Sequence, residues 1–210
     1  LISEIIIEGW EKHPEGRKLE LAAYDSMTIK PGSVINNQIL KNDLNSIYAS
    51  GFFSGVKIKS QDGPLGVRLI VSVVPNPILN KVELNPIETI ISKKYVDDIF
   101  ANSYGTTLNL NDFQNRINLI KKWYEDKGYS LARIKGPERI SGDGIVSLTI
   151  SEGIVSDIEL RFLGSDGEPF VNGKPRKGKT KDWVTKRELK TVPGSIFNRT
   201  ILEEDIKRLY

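Results

Sequence analysis

Apolar positions along the chain follow two periodicities. Ile2 to Glu8 is rich in β-branched residues and reads as a strand. Arg17 to Met27 reads as a short helix, stopped by Lys30-Pro31-Gly32, because Pro lacks a backbone donor and Gly tolerates left-handed dihedrals. Asn36 is placed to cap a second helix. In it Leu40, Leu44, Ile47 and Tyr48 fall at i, i+4, i+7 and i+8 and form one apolar stripe, which Gly51 ends. From Gly55 to Ser60 the period drops to two: Val56 and Ile58 face one way, Lys57 and Lys59 the other. Asp62-Gly63-Pro64 marks a turn, and Val67 to Val74 is a longer apolar strand suited to a sheet centre.

The pattern repeats. Pro31-Gly32-Ser33-Val34-Ile35-Asn36 recurs as Pro193-Gly194-Ser195-Ile196-Phe197-Asn198. Ile39-Leu40, Asp43-Leu44 and Ile47-Tyr48 recur at the same spacing as Ile201-Leu202, Asp205-Ile206 and Leu209-Tyr210. A weaker middle copy runs through Gly105, Leu108-Asn109, Phe113, Ile117, Ile120 and Tyr124. The repeat averages about 81 residues, so three copies, the last incomplete, fill the chain.

In the middle copy Val82 to Asn85 reads as a strand and Lys93 to Asn102 as a first helix. Asp112 to Asp126 reads as a second helix ended by Lys127-Gly128. Leu131 to Lys135 and Ile145 to Ser151 read as a hairpin through Ser141-Gly142-Asp143-Gly144. Each repeat is therefore β-α-α-β-β. The hairpin is antiparallel, and the two-helix crossover returns the first strand parallel to the last. The expected class is α+β: tandem three-stranded mixed sheets, third strand central, second strand at an edge, two helices on one face.

Composition removes several kinds of chemistry. No cysteine is present, so disulfides, thiolate zinc sites and cysteine nucleophiles are excluded, and His13 is the only histidine. No apolar run is longer than about five residues, against the roughly 20 a membrane helix needs. No cofactor or metal site is expected, and no enzymatic activity. The net charge is +3. The chain begins without Met and stops inside a helical pattern, which reads as part of a longer protein.

The β-α-α-β-β repeat, the PG-x-x-x-N step before the second helix, and Tyr48-Ala49-Ser50-Gly51-Phe52-Phe53-Ser54-Gly55-Val56 resemble POTRA (polypeptide-transport-associated) domains. Trp123-Tyr124 with Lys127-Gly128-Tyr129 resembles that family's step into its edge strand. Ala22-Ala23-Tyr24-Asp25-Ser26-Met27, Gly167-Glu168-Pro169, Gly178-Lys179-Thr180-Lys181 and Arg187-Glu188-Leu189 resemble the cyanobacterial and chloroplast branch. The resemblance implies domains at 1–76, 77–153 and 154–210, the last truncated before its final two strands. It implies a place in the periplasm, tethered to the outer membrane, or in the chloroplast envelope intermembrane space. The implied partners are unfolded outer-membrane precursor polypeptides, the protein's own C-terminal membrane barrel, and periplasmic chaperones. The fragment itself is not expected to span a membrane.

Three groups of residues are candidates for that work. Edge strands Val56, Lys57, Ile58, Lys59 and Ala132, Arg133, Ile134, Lys135 would accept a client strand by β-augmentation, through main-chain bonds indifferent to client sequence. Four to six bonds at about 1 kcal/mol net each give affinities no tighter than about 40 μM to 1 mM, weak enough for hand-over. Lysines on an edge also guard it against aggregation. A basic stretch with Lys174, Arg176, Lys177, Lys179 and Lys181 reads as a long exposed loop after the third repeat's first strand, able to reach a barrel mouth or lipid headgroups. Pro75, Asn76 and Pro77 read as an interdomain hinge, more variable than the junction at Glu152-Gly153.

The remaining signals are structural in this reading. Phe52, Phe53 and Tyr129 read as core packing, His13 as a surface loop residue, and Asn198 as a helix cap. Asp97-Asp98 and Glu203-Glu204-Asp205 read as solvated helix faces. Trp10 and Trp183 fit either partner contact or local packing. A second cargo is a single secreted partner, as in a dedicated secretion transporter. An RNA-binding β-α-α-β module is the reading from another class, but KH domains need GxxG between the helices. Here the only GxxG, Gly63 to Gly66, sits in a hairpin turn. No nucleic-acid partner is expected.

Overall fold

A computed structural model describes residues 1–209. By contact density the chain divides into two compact units, residues 1–119 with 135–149, and residues 120–134 with those from 150 on. The first repeat runs β1 (Ile2–Glu8), α1 (Gly16–Asp25), α2 (Asn37–Ala49), β2 (Phe53–Gly63) and β3 (Gly66–Pro75). Strand order is β1-β3-β2, with β1 parallel and β2 antiparallel to β3. The apolar strand is thus central and the lysine strand at an edge, as periodicity predicts. Leu19, Ala23, Ile47, Phe53, Leu69 and Val71 close the core between sheet and helices.

The second repeat runs β4 (Lys81–Asn85), α3 (Lys93–Phe100), α4 (Leu110–Asp126), β5 (Arg133–Lys135) and β6 (Ile145–Ser151), in the order β4-β6-β5. β4 lies parallel to β6. One expectation needs correction: β5 holds only three residues, and Ala132 lies outside it. The Ala132 N–H donates to Tyr129 O (3.1 Å), so the chain is still turning there.

In the third repeat no strand forms over residues 155–164. Ile158, Leu160 and Phe162 are half-buried and alternate with exposed Asp157, Glu159 and Arg161, so the strand pattern is present. A strand in the first position pairs with the third strand of its own repeat, and the third repeat has none among the described residues. The basic stretch is not structureless. It holds a short hairpin, β7 (Phe170–Val171) with β8 (Lys174–Pro175), and the helix α5 (Asp182–Arg187), before α6 (Arg199–Leu209).

Common hydrogen bonds tie all three repeats to one plan. Gly32 donates to Ile2 O and Ile2 to Ser33 O (2.7 and 2.9 Å). Gly105 donates to Leu79 O and Leu79 to Thr106 O (2.9 and 2.8 Å), and Gly194 to Val155 O and Val155 to Ser195 O (2.7 and 2.8 Å). The Pro-Gly or Gly step between the helices is thus clasped to Ile2 in β1, to Leu79 just before β4, and to Val155 in the corresponding non-strand segment of the third repeat. Among the described residues no helix is long and apolar enough to cross a membrane.

Candidate functional site

β2 is the longest edge. The Val56 N–H points away from β3 and donates to the Tyr48 hydroxyl (3.0 Å). Beyond the bulge at Phe53–Gly55 the register is regular, so period two turns the N–H and C=O groups of Ile58, Ser60 and Asp62 outward as well. On the solvent face Arg68 pairs with Glu4 (2.8 Å) and Ser72 bonds Glu8 (2.6 Å), while Lys57 and Lys59 make no ion pair among the described residues. The opposite edge, β1, is closed at both ends: Gly32 and Ser33 bond Ile2, and the Trp10 indole N–H donates to Ile7 O (2.7 Å). Trp10 is thereby local packing.

β5 is a poorer edge, because three residues present one or two outward positions. Next to it in sequence, Gly136, Pro137 and Ile140 line an apolar groove of about 350 Å³ against Leu110, Phe113 and Ile117 of α4.

The hinge segment is pinned in this structure. Asn76 is only 2% exposed, and its amide donates to Gly51 O and Leu108 O (3.0 Å each). His13, expected at the surface, is instead half-buried. It bridges from the start of α1 to this segment: Nε2 donates to Asn76 O (2.9 Å) and Nδ1 accepts from the Glu15 N–H (3.1 Å). Glu15 Oε2 accepts from the Thr107 N–H (2.7 Å) and hydroxyl. That hydroxyl bond holds the Glu15 carboxyl below its ordinary value, against the opposing effect of partial burial, with help from the Thr107 N–H and Lys18.

Asn109 and Asn198 each do two jobs. The Asn109 Oδ1 accepts the Asn111 N–H at the start of α4 (2.9 Å), and its amide donates to Ser50 O (2.8 Å), just past the end of α2. Leu110 N–H donates to Gly51 O (2.9 Å). The same set recurs one repeat on: Asn198 caps Ile201 (3.2 Å) and donates to Lys127 O (2.9 Å), and Arg199 donates to Gly128 O (2.8 Å). The second helix of one repeat therefore ends where that of the next begins. Gly51 and Gly128 have φ of +85° and +87°. A Cβ there would lie 2.6 Å from Asn109 Oδ1 and Asn198 Oδ1 respectively, so both glycines serve the close approach as well as the helix end.

Asp43 and Asp205 occupy equal places in their repeats and neither has any exposed surface. Asp43 accepts from Thr28 N–H and hydroxyl (2.9 and 2.6 Å) and from Ile29 N–H (2.9 Å). Asp205 accepts from Lys190 and Thr191 N–H (2.9 and 2.7 Å) and from Arg208. Burial pushes the Asp205 pKa up, but those bonds outweigh it and hold the carboxyl below its ordinary value. The reading of Asp205 as solvated is thus corrected, because its helix face turns onto the loop between helices. The middle repeat places Arg116 there, donating to Ile99 O.

In the basic stretch Arg176 is tied to Asp166 (2.6 Å), Lys174 lies in β8 and Lys181 precedes α5. Lys177 and Lys179 carry no ion pair among the described residues, and Trp183 is 60% exposed beside Arg187. Phe53 is buried, and Phe52 packs part-buried against the same core.

Comparison with known proteins agrees with this geometry. The profile of the POTRA domain, ShlB-type, matches residues 78–153. Outer envelope protein 80, chloroplastic, of Oryza sativa subsp. japonica is 28% identical over 211 residues, covering 100% of this chain and 30% of its own. The chain thus spans about a third or less of the curated relatives it matches. The N-terminal domain of Omp85 from Thermosynechococcus elongatus is 36% identical, with a TM-score of 0.85 over 100% of this chain and 84% of that one. POTRA1-3 of the periplasmic domain of Omp85 from Anabaena is 36% identical, with a TM-score of 0.81 over 100% and 83%. A chain 36% identical to both of these structures, which it matches along its own whole length and over more than four fifths of theirs, belongs to the POTRA domains of the Omp85 family.

Proposed function

We propose that the chain is the polypeptide-receiving array of an outer-membrane barrel-assembly protein or translocon, made of POTRA domains at 1–76, 77–153 and 154–210. It binds unfolded precursors by β-augmentation and passes them to a membrane barrel in the same protein, with periplasmic chaperones as further partners. The observation that carries this reading is the open β2 edge. Ile58, Ser60 and Asp62 present four to six main-chain bonds, worth about 4 to 6 kcal/mol before ordering costs. β5 presents two to four, about 2 to 4 kcal/mol, so β2 is the principal receptor and β5 relies on its neighbouring groove. Weak contacts summed along an array capture without trapping. Lys177 and Lys179, unpaired on the third repeat, suit a barrel mouth or anionic headgroups. Bending at Pro75-Asn76-Pro77, where it occurs, must release the Asn76 and Glu15 bonds.

The test is an NMR titration of the isotopically labelled chain with an unfolded peptide from an outer-membrane barrel strand. Amides from Ile58 to Asp62 shift together at high micromolar peptide. Shifts confined to residues 174–181, or none, overturn the reading.

A further inference from the structure

Resting on that reading, we infer that the first repeat's edge accepts clients in one register, beginning at Ile58, and prefers an extended segment in which Asp or Glu alternates with apolar residues. The register follows from Tyr48. Its hydroxyl already holds the Val56 N–H at 3.0 Å, so an incoming strand finds its first free position at Ile58. At the other end Gly63 turns into Gly66, closing the ladder after Asp62.

The client chemistry follows from the two faces of β2. Ile58 lies part-buried against the first-repeat core, and Ser60 follows it on the same face. A client side chain beside them adds to an apolar layer. On the other face Lys57 and Lys59 are exposed and make no ion pair, while the other charged residues of that face, Arg68, Glu4 and Glu8, are engaged with partners inside the sheet. The two lysines are therefore the free charges that a client strand meets, and alternate carboxylates directly opposite them complement both. Tyr48 acts here as a positioning residue, through Val56.

The test uses the full 210-residue chain and three extended peptides: Val alternating with Glu, Val alternating with Lys, and Val alternating with Ser. The Glu peptide binds at least about fivefold tighter than the Lys peptide in about 20 mM salt, and the gap closes near 0.5 M. On binding, exchange of the Ile58 and Ser60 amides slows at least about tenfold, while Val56 exchange is unchanged. In Tyr48→Phe, which keeps the ring, the Val56 amide joins the set protected by peptide. Lys57→Glu/Lys59→Glu inverts the charge preference. Equal binding of the Glu and Lys peptides, or Val56 protection by peptide in the unmodified chain, overturns this inference. If the Ser peptide still protects Ile58 and Ser60 in that case, β-augmentation itself stands. No response of the edge to any of the three overturns both.

Discussion

Replacing Asp43 by Asn changes one atom and should nevertheless loosen the whole first repeat. The carboxylate is fully buried and receives three donors, from the Thr28 N–H, the Thr28 hydroxyl and the Ile29 N–H. An amide has one oxygen. Its better orientation keeps that oxygen on Thr28 and turns the NH2 group against the Ile29 N–H, donor facing donor. One buried N–H left unsatisfied costs about 1 to 3 kcal/mol. The two surviving bonds lose their charge assistance, about 0.5 kcal/mol each. The expected loss is therefore about 2 to 4 kcal/mol, a large part of a domain's usual margin. Native-state amide exchange reads it locally: protection of Leu69 and Val71, in the centre of β3, falls about 30- to 1000-fold. Asp205→Asn repeats the experiment at Lys190 and Thr191. A loss under about 0.5 kcal/mol, with the Ile29 amide still protected, would refute the reasoning.

Two further outcomes follow from the junctions. Gly51→Ala forces a Cβ into a φ of +85° and to 2.6 Å from Asn109 Oδ1, so denaturant melts should show a loss of at least about 2 kcal/mol, with the Asn109 bond to Ser50 broken. Glu15 is held below its ordinary value of 4.5, so its bonds to Thr107 contribute fully above that pH and are lost as pH falls through the lower folded value. The Thr107 amide shift, followed down in pH, should titrate below 4.5; an inflection above it contradicts the clasp.

Much of the fold is legible in the sequence because it rests on local rules. Alternation at Val56–Lys59, the stripe through Leu40, Leu44 and Ile47, and the Asn36 cap, which accepts the Gln38 N–H at 2.7 Å, each depend on neighbours a few residues away. What escapes such reading depends on partners far along the chain. Asp43 and Asp205 sit among helix positions that read as polar surface, and only their equal placement in the repeat hints at a shared buried role. Asn109 and Asn198 are recognisable as caps, but their second bonds, to Ser50 and Lys127, join one repeat to the next. Tyr48 belongs to an apolar stripe, and nothing in periodicity says that its hydroxyl closes an edge. β5 is shorter than its pattern because the turn through Tyr129 consumes the Ala132 donor, and residues 155–164 keep a strand's alternation without a strand to pair with.

The central claim is that main-chain bonds at Ile58, Ser60 and Asp62 carry the client. It is tested most directly by N-methylating a bound barrel-strand peptide at alternate residues, in the two complementary patterns. Methylating the residues that face β2 removes their donors and blocks approach, and should weaken binding more than about tenfold. Methylating the other set leaves those donors untouched and should change the affinity less than about threefold. Equal affinities for the two patterns would contradict the account.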